Sequence, residues 1–149
     1  MIGGVLNYFF SLIVLVVILL FSKISMGWPL FLFPIILLIM FLFTTSLTFV
    51  ISALHVYFRD LEHIVGILVM VWFYLTPIVF PESMIPKELE YIFNANPMTI
   101  IITSFQDLLY YNQTPPIFEL GIGLLVSFIM FFISLMLFQR LSRKFAEVI

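Results

Sequence analysis

The stretch Val56-Tyr57-Phe58-Arg59-Asp60-Leu61-Glu62-His63 decides how this chain folds. Arg59, Asp60 and Glu62 are the only Asp, Glu, Lys or Arg residues between positions 24 and 81, and a long apolar run lies on each side of them. Because ionised side chains are costly to place in hydrocarbon, this segment must lie outside a bilayer, where two membrane spans meet. With His55 it is called the charged cluster below (residues 55–63).

Composition sets the class of protein. The chain has 149 residues, of which 64% are hydrophobic and 9% are charged, whereas soluble domains carry about a quarter charged residues. The apolar residues also form blocks long enough to cross a bilayer, so the chain is predicted to be an all-α integral membrane protein with a single domain. No basic run suits nucleic acid, and the absence of cysteine excludes disulfides and thiolate metal sites.

Four apolar blocks predict four transmembrane helices, at about residues 5–22, 30–54, 64–80 and 117–138. The first block has no basic segment before it and no small-residue cleavage site after it, so it is interpreted as a retained span. Thr76, Pro77 and Pro81 predict that the third helix kinks or ends there, because proline removes a backbone hydrogen bond.

Residues 84–111, between the third and fourth spans, differ from the rest. Ser83 and Pro86 are typical of a helix start, and the apolar residues that follow share one face: Ile85, Leu89, Ile92 and Phe93. Asn96 and Pro97 break this helix. Residues 98–111 are apolar but short and contain Gln106 and Asp107, which favours a re-entrant outer helical hairpin over a span.

The positive-inside rule orients the chain. If the hairpin does not cross, the charged cluster and the C-terminal tail share a side that carries four basic residues against two, which makes that side cytoplasmic. If residues 98–111 cross, the tail changes sides and the distribution becomes five against one, with the N-terminus outside. The charge rule slightly prefers the crossing version, whereas the short length and Asp107 argue against it.

Several side chains are candidates for function. Thr44, Thr48 and Ser52 recur every four residues, which indicates a helix-packing face or a stripe that lines a polar path. Tyr57, Phe58, Arg59, Asp60 and Glu62 form either a solvated turn or an ion-pair element that contacts a partner.

No phosphate-binding loop or nucleophile elbow is present in the sequence, so ATP hydrolysis is expected on another chain. His55 and His63, with Asp60 and Glu62, leave an interfacial metal or enzyme site conceivable. Two histidines without a third convergent ligand favour ordinary interface histidines instead. No catalytic, cofactor or metal residue is therefore predicted.

Three patterns, in this order and at this spacing, resemble the permease subunit of ABC-2-type exporters of polysaccharide, O-antigen or teichoic acid. They are residues 56–61 after a span, residues 74–81 at the end of the next span, and Asn96-Pro97-Met98-Thr99 before a short apolar stretch. The resemblance covers most of the chain from about residue 5 onward. It implies a permease in the bacterial plasma membrane, with loop 55–63 and the tail cytoplasmic and residues 84–111 as a re-entrant outer hairpin. It also implies a second permease copy, separate ATP-binding subunits and a lipid-linked glycan cargo.

The chain departs from this family in two ways. The family has six spans, and this chain resembles the part that begins at the third, without the main coupling helix, so a C-terminal portion of a permease is expected. The family also often carries a basic residue where Gln106 stands, which leaves any role for charge in the hairpin in doubt. Two other hypotheses are an integral membrane enzyme that uses His55, Asp60, Glu62 and His63, and an inactive permease fragment.

Overall fold

A computed structural model describes residues 28–58, 60–80 and 84–142, together with positions 10, 13, 14 and 17. Apart from those four positions, the predicted first span lies outside the described residues. Every regular element of the described chain is helical: the entry turn Trp28–Leu32, α1 (Phe33–His55), α2 (Leu61–Tyr74), α3 (Glu90–Asn94), α4 (Pro97–Gln106), the π turn Asp107–Tyr111 and α5 (Ile117–Ser142). The predicted all-helical class is confirmed.

Two helices are long and apolar enough to cross a membrane. They are Trp28–His55, with 28 residues, and Ile117–Ser142, with 26, and they coincide with the predicted second and fourth spans. Only 22% of the most apolar window of each helix is buried inside the molecule. The core helix of a soluble protein would bury most of such a window, so these surfaces fit contact with lipid.

Helices α1 and α5 lie side by side and run in the same direction. Near their first turns, the Cβ position at Gly123 falls 3.7 Å from the Ile39 side chain. Further along, the ring of Phe49 lies 6.0 Å from that of Phe131 and 5.4 Å from that of Phe138. Just beyond the end of α1, Tyr57 reaches the last residues of α5. Successive contacts therefore involve later residues of both helices, as expected for a parallel pair.

Small residues make the close approach of α1 and α5 possible. Ser46 on α1 is buried, as are Gly123, Ser127 and Ser134 on α5. Short side chains at a helix interface let backbones come near enough for extensive van der Waals contact. The apolar core lies in the half of this pair nearer the N-terminal ends of both helices, where α4 and the π turn contribute to it: Ile36, Ile39, Phe43, Ile101, Leu108 and Leu120.

The structure changes two expected boundaries. Helix α2 begins at Leu61, inside the charged cluster, and ends at Tyr74, so the described residues 75–80 form turns and bends instead of the end of a predicted span. The cause is Pro77, which cannot donate a backbone hydrogen bond and disfavours helix in the residue before it. The helix expected from about residue 84 begins only at Glu90, as α3. Before it, the Leu89 amide donates to the Pro86 carbonyl in a separate turn.

Candidate functional site

A polar junction joins the end of α2 to the start of α4. Its centre is Asn96, whose backbone is extended while Pro97 opens the helix. The Oδ1 atom of Asn96 accepts a hydrogen bond from the Met98 amide at 3.0 Å, which satisfies one of the free amides at a helix start. Asn96 is thus the N-cap of α4, at the position where the sequence predicted only a helix break.

The same amide group binds the other helix. The indole Nε1 of Trp72 donates to Oδ1 at 2.9 Å, and Nδ2 of Asn96 donates to the Leu75 carbonyl at 3.0 Å and to the Thr76 Oγ1 at 3.1 Å. Two donors face the oxygen and two acceptors face the nitrogen, so only one orientation of the amide fits. The Asn96 side chain therefore links the end of α2 to the start of α4 through four hydrogen bonds.

The junction also satisfies the backbone that Pro77 interrupts. The Thr76 hydroxyl, which is buried, donates to the Trp72 carbonyl at 2.9 Å. Gln106 on α4 donates from Nε2 to the Pro77 carbonyl at 2.8 Å. Free carbonyl groups are costly in a non-aqueous setting, so these side chains make a helix break possible there. Pro81, the last residue of the predicted break, lies outside the described residues.

Aromatic rings pack on both sides of this junction. Trp72 meets the buried Phe43 of α1 edge to face, with ring centroids 5.9 Å apart. Phe80 meets Phe93 of α3 in the same manner at 6.0 Å. Edge-to-face pairs are worth about 1 kcal/mol beyond the area that they bury. The junction is therefore fixed to α1 and closed over by the short helix of the hairpin.

The charged cluster lies at the opposite end of the helix pair. Tyr57 is half-buried, whereas Phe58, Asp60 and Glu62 are exposed. Arg59 lies outside the described residues. Across the described ranges, no three His, Cys, Asp or Glu side chains converge as a metal-ligand set would.

The hydroxyl stripe of α1 is not part of the buried set of that helix, which is Ile36, Ile39, Phe43, Ser46 and Ala53. Thr44 is exposed, while Thr48 and Ser52 are half-buried. Thr44 donates to the Met40 carbonyl at 2.7 Å and Thr48 to the Thr44 carbonyl at 2.9 Å, so these hydroxyls bind their own helix. Sequence reasoning missed Ser46 and Ser134 as seam residues. Ser134 lies seven residues after Ser127, a helical spacing that continues the Gly123 and Ser127 pair.

The π turn contains an acidic side chain, Asp107, and ends at Asn112, where the chain changes direction. Burial raises the pKa of the Asp107 carboxyl, because desolvation disfavours its charged form. The Asp107 carbonyl accepts the Gln113 amide at 2.8 Å, and Asn112 takes a left-handed backbone with φ 52°. Asparagine tolerates this conformation better than most residues, so the chain can turn there towards α5.

These features define an all-helical membrane protein built on two parallel apolar helices and a polar junction between the end of α2 and the start of α4. The chain belongs to the ABC-2 type transporter family, whose profile matches residues 1–110.

The chain is also similar to curated proteins that are named export permeases. The chain is 36% identical over 124 residues to an O-antigen export system permease protein, RfbA, of Myxococcus xanthus, which covers 82% of the chain and 48% of the relative. Two proteins of the same name from Klebsiella pneumoniae are each 33% identical to it, over 84% and 78% of the chain and 48% and 44% of their own lengths. The chain thus spans about half the length of these relatives.

Proposed function

We propose that this chain is a membrane-spanning permease component of an ATP-driven exporter of cell-surface polysaccharide or lipid-linked glycan, and forms part of its translocation path. The observation that carries this proposal is the 36% identity over 124 residues to an O-antigen export permease. The exposed apolar surfaces of α1 and α5 support it, because a transport path must cross the bilayer.

The proposed topology has four spans and a re-entrant outer hairpin. The parallel direction of α1 and α5 supports it: after α1 ends, the chain must cross once to return to the level where α5 begins. Helix α2 and the residues after it supply that crossing. A second crossing at residues 98–111 would make α5 antiparallel to α1. We place the charged cluster and the tail in the cytoplasm of a bacterial cell, on the basis of their excess of basic residues.

The site residues follow from this topology. Tyr57, Phe58, Arg59, Asp60 and Glu62 would form a supporting contact at the cytoplasmic mouth of the path. The junction residues Thr76, Pro77, Asn96 and Pro97, with Pro81, would hold the hairpin against the broken helix. Thr44, Thr48 and Ser52 are not among the buried residues of α1, so this stripe would face a neighbouring subunit or the path.

The proposed partners are a separate ATP-binding subunit and a second permease copy. The sequence carries no phosphate-binding loop of its own, so the energy for transport would come from another chain. The proposed cargo is a lipid-linked or cell-surface glycan such as O-antigen or teichoic acid, on the basis of the similarity to O-antigen export permeases and of the family resemblance.

Deletion of the gene tests the function. We expect surface polysaccharide to fall several-fold, lipid-linked glycan to accumulate inside the cell, and a plasmid copy of the gene to restore export. Unchanged surface polysaccharide would contradict the proposal.

A His55→Ala/His63→Ala double variant serves as the matched control for an enzymatic role. It should restore export as well as the unaltered gene does. Lost export at normal protein abundance would favour an interfacial enzyme that uses these histidines.

A further inference from the structure

Four exposed aromatic rings lie on the two turns at the outer end of the helix pair. Trp28 and Phe31 on the entry turn are each 76% exposed, and their ring centroids are 5.4 Å apart. Tyr110 and Tyr111 on the π turn are 74% and 49% exposed, with centroids 5.0 Å apart. These four residues are called the aromatic rim below.

The two turns that carry the aromatic rim pack against each other and against the buried core. The entry turn and the π turn contact each other, and just beyond them the ring of Phe33 meets that of Phe105 edge to face at 5.8 Å. Leu30 and Leu109, next to the exposed rings in sequence, pack against the buried core. The apolar side chains of both turns are therefore divided between a buried inner face and an exposed outer one.

The aromatic rim lies at the N-terminal ends of the two apolar helices, where a membrane span would enter the headgroup layer. The entry turn leads directly into α1, and the π turn precedes the start of α5, where Phe118 is 78% exposed. The charged cluster lies at the other end of both helices. Tryptophan and tyrosine are enriched where membrane spans enter the headgroup layer, because each ring pairs an apolar body with a polar tip.

We propose that the aromatic rim binds the lipid headgroup layer of the outer face and sets the depth of the hairpin in the membrane. This inference rests on the proposed re-entrant topology. The ring geometry favours lipid over a sugar chain: Tyr110 and Tyr111 stand at 90° to each other and Trp28 and Phe31 at 43°, so neither pair forms a flat platform for stacking.

Depth-dependent quenching of Trp28 tests the position of the rim. The protein would be reconstituted in phosphatidylcholine vesicles whose lipids carry bromine near the glycerol backbone or near the terminal methyl group. The Trp28 signal is the difference between the native chain and Trp28→Phe, since the chain has two tryptophans. We expect roughly twofold stronger quenching from the shallow bromines than from the deep ones. The opposite order would overturn the proposal.

A second variant tests the effect on the hairpin. A nitroxide attached at Gln113→Cys should change its depth by several ångströms when Tyr110 and Tyr111 both become alanine, as measured by collision with oxygen and with a water-soluble nickel complex. Tyr91→Ala, on an exposed residue of α3, is the matched control and should leave that depth unchanged. An unchanged depth in the Tyr110→Ala/Tyr111→Ala variant would refute the anchoring role.

The outcomes separate this inference from the proposed function. If Trp28 is reached only by aqueous iodide and not by any brominated lipid, the rim faces water and is free to contact glycan. The lipid anchor is then wrong, while export in the gene-deletion experiment still stands. If the deletion leaves export intact but shallow quenching is found, the anchor stands and the export function fails.

Discussion

The hydroxyl of Tyr57, just beyond the end of α1, lies 3.4 Å from the carbonyl oxygen of Leu141 in the last turn of α5. This contact joins residues 84 positions apart and brings the charged cluster beside the C-terminal end of the last helix. Two ends that touch must lie on the same side of a membrane. The pairing thus supports the hairpin that does not cross.

Cysteine labelling should show this arrangement in intact cells, because the chain has no cysteine of its own. We expect an impermeant thiol reagent to label Glu88→Cys, while Glu62→Cys and Gln139→Cys react only after the cells are made permeable. Labelling of Gln139→Cys without labelling of Glu62→Cys would indicate that residues 98–111 cross the membrane.

Replacement of Asn96 should loosen the junction strongly. Asn96→Ala removes the N-cap and three further hydrogen bonds, so we expect a loss of about 2–4 kcal/mol in the free energy of unfolding. Asn96→Asp keeps the accepting oxygen but loses both donors, and should lose about 1–3 kcal/mol. Denaturant unfolding in mixed micelles, followed by Trp72 fluorescence in a Trp28→Phe background, measures both values.

The exposed Asn94, at the end of α3, provides the control for this series. Asn94→Ala should change the free energy of unfolding by less than about 0.5 kcal/mol. Equal effects at positions 94 and 96 would mean that the junction contributes nothing to stability.

Position 106 should require a hydrogen-bond donor more than a particular charge. Gln106→Leu leaves the Pro77 carbonyl without its partner and should lower stability by about 1 kcal/mol. Gln106→Glu places an acceptor against that carbonyl and should be worse by about 1–3 kcal/mol. Gln106→Lys keeps a donor and should lie closest to the native chain. Thermal melting followed by circular dichroism ranks the stabilities of the three variants. A Gln106→Glu variant more stable than Gln106→Leu would contradict the need for a donor.

The two glycines near the start of α5 should respond in opposite ways. A Cβ at Gly121 meets nothing within 4 Å, so Gly121→Ala should stabilise the helix by about 0.5–1 kcal/mol. At Gly123 the added carbon falls 3.3 Å from the Ile100 side chain, which offsets that gain. Gly123→Leu would force α1, α4 and α5 apart and should lose at least about 2 kcal/mol. Equal tolerance of leucine at both positions would contradict the packing described.

Asp107 should make stability depend on pH. Since its pKa is raised in the folded chain, the folded state binds the proton more tightly than the unfolded state, and stability falls as pH rises above about 4. Asp107→Asn removes this dependence, so the variant should be more stable than the native chain at neutral pH, with the gap closing in acid. The free energies of unfolding of the variant and the native chain, measured at neutral pH and in acid, give this gap. The same gap with exposed Glu119→Gln would point to a general charge effect.

The sequence predicted the features that depend on local pattern. Uninterrupted apolar runs identified α1 and α5, and Pro77 and Asn96-Pro97 marked real breaks. The partners across those breaks were not predictable, because Trp72 and Asn96 are 24 residues apart in sequence and meet only in the folded chain. The seam was also hidden, since α1 is apolar on most of its surface and no periodic contrast separates Ser46 from its neighbours. Ser83, Pro81 and Arg59 lie outside the described residues, so their roles stay predictions.

The full use of the Asn96 amide has a mechanical consequence. Four hydrogen bonds that share one side chain cannot lengthen one at a time without leaving a polar group unpaired in an apolar setting. We therefore expect the end of α2 and the start of α4 to move together. A displacement of α2 at its charged end would then be transmitted through Asn96 to the start of α4.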